Sequence, residues 1–126
     1  MKYNQYFLFN YGAEMSLAKN YTNSINLLKE AEPVLNDADL YIYMGMSYQG
    51  IGDYVNAEKC YVKASEIMPA KFYPVYRLVK LYQKQNRINE SVQLAKNLLN
   101  MPVKIPSEII TNILAEMENY VNSQLN

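Results

Sequence analysis

The chain has 126 residues, half of them apolar, with 12 basic and 12 acidic side chains, no histidine and a single cysteine. That length suits one domain, residues 1–126, with a buried core. Without histidine there is no Ser-His-Asp or Cys-His nucleophile and no imidazole metal ligand, lone Cys60 forms no internal disulfide, and zero net charge does not favour a nucleic-acid partner.

In chain order, the apolar spacing and the turn residues predict seven helices, at about 3–18, 21–33, 38–50, 54–67, 72–85, 88–100 and 107–124. No strand pattern stands out. Asp37 is placed to cap the third helix, with Asp39 favouring its N-terminal dipole. Gly52-Asp53 makes the turn between the third and fourth helices. Pro74 in the first turn of the fifth helix fixes its entry, and Pro102 stops the sixth. In the seventh helix, which Ser107 begins, Ile110, Ile113, Leu114, Met117, Tyr120 and Val121 share one face; a lid on the last hairpin is expected, a partner-docking helix being the alternative.

Charge is balanced overall but not locally. Residues 1–53 carry three basic and six acidic side chains, residues 54–104 nine and three, and residues 105–126 none and three. A basic middle between acidic flanks reads as a solvated face pairing with its neighbours, or as a surface for an acidic partner.

An internal repeat organises the chain. When the sequence is laid over itself so that Gly12 falls on Gly45, Tyr21 falls on Tyr54, Asn23 on Asn56 and Ala31 on Ala64, and Ser24 meets Ala57. A third copy follows the second, with Met44 on Leu78, Tyr48 on Tyr82 and Ala57 on Ser91. The period is that of one helical hairpin.

The second copy, with Tyr41, Met44-Gly45, Tyr48, Gly52-Asp53-Tyr54, Ala57, Tyr61, Ala64 and Pro69, resembles the tetratricopeptide repeat. The resemblance implies an all-α fold: an α-α superhelix of three hairpins, about 5–36, 38–69 and 72–103, plus a C-terminal capping helix at about 107–124. Gly45 and Ala57 are expected to let the helices of a hairpin approach, and Tyr41, Tyr48 and Tyr61 to fill the space between hairpins. The outer copies depart from the pattern: Lys19-Asn20 and Asn86-Arg87 replace the turn, and Val79 and Ala95 stand for the third hairpin's glycine and second-helix aromatic.

In such a stack the first helix of each pair lines a concave groove, so register nominates partner-facing residues. These are Tyr6, Phe9 and Ala13, then Asp39, Ile42, Tyr43 and Met46, then Tyr73, Tyr76, Arg77 and Lys80. Rigid, amphipathic tyrosines suit a groove for a protein or peptide, or for stacking on sugar rings; core filling is the competing reading. Relatives that clamp the acidic tails of heat-shock chaperones use lysines, asparagines and an arginine at these places. Here Phe9, Ala13, Tyr43, Tyr73 and Arg77 stand there and only Arg77 fits, so that mode is not expected.

A narrower resemblance rests on the segments Gly52–Pro69, Met68–Tyr82 and Leu98–Ser107, the last containing Asn100-Met101-Pro102-Val103-Lys104. They are similar to the soluble C-terminal tail of O-antigen ligase or polymerase-like membrane proteins of Bacteroidetes. That resemblance implies a fragment of a larger glycan-assembly protein held at the bacterial inner membrane, with the reactive part elsewhere in the parent chain. The expected function is a non-catalytic protein-protein interaction module without cofactor or metal, needing no membrane contact of its own and open to homo-oligomerisation. A carbohydrate-binding domain or a free-standing adaptor is the alternative. Cys60 is expected to be a buried filler rather than a reactive thiol.

Overall fold

The computed structural model describes residues 4–125. They form seven helices, α1 (Gln5–Leu17), α2 (Tyr21–Ala31), α3 (Ala38–Gly50), α4 (Tyr54–Ile67), α5 (Phe72–Lys84), α6 (Ile88–Leu99) and α7 (Glu108–Gln124), and no strand among the described residues. Every expected helix is present, with ends shifted by two residues at most; the expected start at Tyr3 lies outside the described residues. Where length alone suggests one domain, the chain divides into two compact units, Met1–Pro69 and Ala70–Asn126.

Unit 1 is the pair of hairpins α1–α2 and α3–α4. Asn4, Asp37 and Asp53 cap α1, α3 and α4 through their side chains, accepting from the backbone N–H of Tyr6 (2.8 Å), Asp39 (2.7 Å) and Asn56 (3.2 Å). Inside each hairpin a glycine on the first helix meets a large side chain on the second. A Cβ on Gly12 would lie 2.8 Å from Leu28 Cδ2, and one on Gly45 would lie 2.5 Å from Tyr61 Cε1. The two pairs stand one repeat apart, so the repeat carries one contact twice. Tyr61 therefore packs within its own hairpin, against the expectation that it fills the gap between hairpins, because Gly45 leaves room there for a ring.

Between the two hairpins of unit 1 the core holds a pair of serines. Ser24 is fully buried; its Oγ donates to the Gly12 carbonyl (2.7 Å) and accepts from Ser47 Oγ (2.9 Å). Both hydroxyls are satisfied, so burying them carries no large penalty.

Unit 2 is the hairpin α5–α6 closed by α7. Phe72, Val75 and Val79 of α5, Ala95 and Leu98 of α6, and Ile113, Met117 and Val121 of α7 form one buried cluster. Thus α7 spends its apolar stripe on the hairpin as a lid. Val79 and Ala95 occupy the places of Gly45 and Tyr61 with the sizes exchanged, and both are fully buried. The exchange keeps the hairpin packed without the repeat's glycine. Pro74 is buried in the first turn of α5, where a missing N–H costs nothing, and Ser107 caps α7 by accepting from the Ile110 N–H (3.2 Å).

One turn recurs in all three hairpins. Lys19, Gly52 and Asn86, each one repeat after the last, have φ of +64°, +83° and +60°. Each following residue donates its N–H to the carbonyl five residues back: Asn20 to Met15 (2.8 Å), Asp53 to Tyr48 (2.9 Å) and Arg87 to Tyr82 (2.8 Å). This is the Schellman end of a helix, which calls for a left-handed residue at that one place. Only the middle copy supplies glycine.

Candidate partner-binding faces

In unit 1, Phe9 of α1 and Tyr43 of α3 stand edge to face, ring centroids 6.2 Å apart and planes at 84°. Ser16 Oγ donates to the Tyr43 carbonyl (3.3 Å), tying α1 to α3 beside the pair. Ala13, Met46 and both rings are half-buried, and Tyr6 is 68% exposed. Ile42 departs from expectation. It is 4% exposed and part of the core, because α3 packs on α1, α2 and α4 and is apolar round most of its circumference. Of the α3 residues nominated, Asp39, Tyr43 and Met46 reach the surface.

In unit 2, Tyr73 and Tyr76 lie side by side on α5, centroids 6.0 Å apart, their rings resting partly on the buried cluster. These two rings thus fill part of the core while staying half-exposed. Tyr76 OH donates to Glu116 Oε1 (2.9 Å) and Lys80 Nζ donates to Glu116 Oε2 (3.0 Å), with the ammonium 5.8 Å from the Tyr76 ring centre. Burial first, and the Glu116 hydrogen bond second, push the Tyr76 phenol up to about 12. Arg77 is half-buried.

Glu116 is the member of this face that sequence reasoning misses. The apolar stripe of the seventh helix does not announce it, yet an acidic tail beside a basic middle stretch is a signal for such a pair. The Lys80–Glu116 bridge joins those two stretches, with both side chains about two-fifths exposed, so it adds little stability and mainly orients the two groups.

Cys60 is buried, and burial pushes its thiol up to about 12, the behaviour of a packing residue rather than a nucleophile. Among the described residues no group of three or more Cys, Asp or Glu side chains is placed to hold a metal, and no helix is long and apolar enough to cross a membrane.

No family model and no curated protein matches the chain by sequence. Solved structures do match by fold. The type III secretion chaperone SycD of Yersinia enterocolitica, in complex with a peptide of the translocator YopD, superposes with a TM-score of 0.81 at 9% identity, covering 92% of this chain and 88% of that one. The Sgt2 tetratricopeptide domain of Aspergillus fumigatus gives 0.74 at 13% identity, over 95% and 80%. The second tetratricopeptide domain of human RPAP3, in complex with an HSP70 peptide, gives 0.70 at 16% identity, over 91% and 98%. The fold is therefore the tetratricopeptide-like array of helical hairpins, as the repeat implies.

Proposed function

We propose that this chain is a non-catalytic protein-interaction module that holds a peptide segment of a partner on the aromatic face of its first helices. The observation that carries this reading is the Phe9–Tyr43 pair, two rings from neighbouring helices set edge to face and left half open beside an exposed Tyr6. Such rings offer contact area at low entropic cost. The peptide complexes of SycD and RPAP3 support the reading by fold alone. The α5 face, with Tyr73, Tyr76, Arg77 and Lys80, is a second proposed contact surface, where an acidic group of a partner would exchange with Glu116.

The test is selection of binding peptides from a displayed random library, followed by anisotropy titration of the best peptide against wild type, Phe9→Ala and Tyr43→Ala. A loss of tenfold or more with unchanged helical content is expected. Equal affinity for all three proteins would remove these rings from the site, and a glycan that binds in a Tyr43-dependent way would favour the sugar-stacking alternative.

For the cellular setting, we infer from the resemblance of Gly52–Pro69, Met68–Tyr82 and Leu98–Ser107 that the module is the soluble tail of a larger membrane protein of surface-polysaccharide assembly. Its attachment to the bacterial inner membrane would then come through the parent chain. Reading the coding sequence upstream of Met1 decides this: multiple apolar spans in frame support it, and an in-frame stop leaves a free-standing adaptor.

A further inference from the structure

The two aromatic faces differ in charge. On α5 of unit 2 the rings have cations beside them: Lys80 Nζ lies 5.8 Å from the centre of the Tyr76 ring, and Arg77 stands on the same helix. One repeat earlier, Met46 takes the place of Lys80 and Tyr43 that of Arg77, and neither α1 nor α3 carries a lysine or arginine at any position. Glu14 and Asp39 are the charged residues of these two helices, and residues 1–53 as a whole carry three basic and six acidic side chains. Unit 1 thus sets its rings in an acidic half of the chain, on helices that supply no cation.

The rings themselves are set to receive one. Phe9 and Tyr43 meet at 84° with centroids 6.2 Å apart, so their planes form two walls of a corner, and both residues are half-buried, which leaves part of each open. Tyr6, 68% exposed, precedes Phe9 by three residues and so stands on the same side of α1, one turn nearer its start. Asp39 stands in the same relation to Tyr43 on α3, four residues earlier. The face of an aromatic ring is the negative part of its quadrupole and attracts an ammonium or guanidinium group within about 6 Å. An alkyl side chain would gain the apolar contact alone, and a carboxylate would meet repulsion from the ring faces and from the acidic half of the chain.

We infer that the Phe9–Tyr43 corner takes a lysine or arginine side chain of the bound segment, the alkyl stem lying along the rings and the charged head over their faces. The inference rests on the reading of this face as the peptide site and adds the chemistry of the anchoring residue. The probes are Nα-acetyl-lysine methylamide and Nα-acetyl-norleucine methylamide, which share backbone and aliphatic chain and differ in the ammonium group. In NMR titrations of the full chain at fixed ionic strength, the lysine compound should shift the resonances of Phe9, Ala13 and Tyr43 and bind about fivefold or more tighter than the norleucine compound. Phe9→Leu and Tyr43→Leu, which keep apolar bulk but remove a ring face, should each abolish that preference with helical content unchanged. Equal binding of the two compounds overturns the inference and leaves an apolar peptide site, so the wider reading survives. Lysine-dependent shifts that both leucine variants leave untouched, or no shift at these residues with either compound, also overturn it. The wider reading fails separately, when the best displayed peptide binds wild type, Phe9→Ala and Tyr43→Ala equally.

Discussion

The ring of Tyr61 lies directly on the α-carbon of Gly45, and one repeat later Ala95 and Val79 fill the same two places with large and small exchanged. Two solutions to one packing problem thus coexist in a single chain. Gly45→Ala should cost about 1–3 kcal/mol by pushing a fully buried ring aside. Tyr61→Ala should cost about 3–5 kcal/mol by leaving a cavity. The double variant Gly45→Val with Tyr61→Ala copies the third hairpin and should lose clearly less than the two single changes together, a coupling that denaturant titration of all four proteins measures.

The recurrent left-handed turn gives a second prediction. Lys19 and Asn86 hold φ near +60°, which a Cβ disfavours, whereas Gly52 meets the same requirement freely. Lys19→Gly and Asn86→Gly should each stabilise the fold, by about 0.5–1 kcal/mol once the greater freedom of unfolded glycine is subtracted, with the larger gain at Lys19. Thermal melts that fall for both variants would show that the side chains, rather than the backbone, dominate these turns.

Ser24 and Ser47 behave as a unit. Ser24→Ala leaves the Ser47 hydroxyl without its acceptor in the core and should cost about 1–3 kcal/mol. Removing Ser47 as well abolishes the orphaned donor, so the double alanine variant should be no less stable than Ser24→Ala alone in the same denaturant titration. The second hairpin, with Ala57 in the place of Ser24, already dispenses with the hydroxyl.

How stability varies with pH follows from what titrates. With no histidine, and with Cys60 pushed up to about 12, little changes between roughly pH 6 and 8, and stability should be flat there. Tyr41 and Tyr76 are pushed from 10 to about 12, chiefly by burial, with hydrogen bonds to Glu32 and Glu116 adding to the rise. The folded state then keeps protons that the unfolded chain releases, so stability is full below pH 10 and falls as pH rises from about 10 to 12. Absorbance titration at the phenolate band should show Tyr41 and Tyr76 ionising late, together with loss of helix. Unfolding that starts well below pH 10 would contradict this.

The helices and their register are legible in the sequence because the signals that set them are local: Asp37 and Ser107 as helix starts, Gly52-Asp53 as a turn, Pro74 and Pro102 as punctuation, and apolar spacing between them. What depends on three-dimensional neighbours is not. Ile42 reads as groove-facing by register, but α3 is enclosed by three helices, which periodicity along one helix does not reveal. The repeat pattern puts Tyr61 between hairpins because it names residue types without saying which partner each meets. Glu116 escapes because its role comes from Tyr76 and Lys80, 40 and 36 residues earlier, and no local spacing links them.

The exchanged sizes at Gly45–Tyr61 and Val79–Ala95 also limit how this chain can be rearranged. Moving α4 into the third hairpin would drive the Tyr61 ring into Val79, while moving α6 into the second would leave Ala95 facing Gly45 across a gap the size of a phenol. A transplant succeeds when both helices of a pair travel together, so the hairpin, not the helix, is the smallest interchangeable part of this molecule.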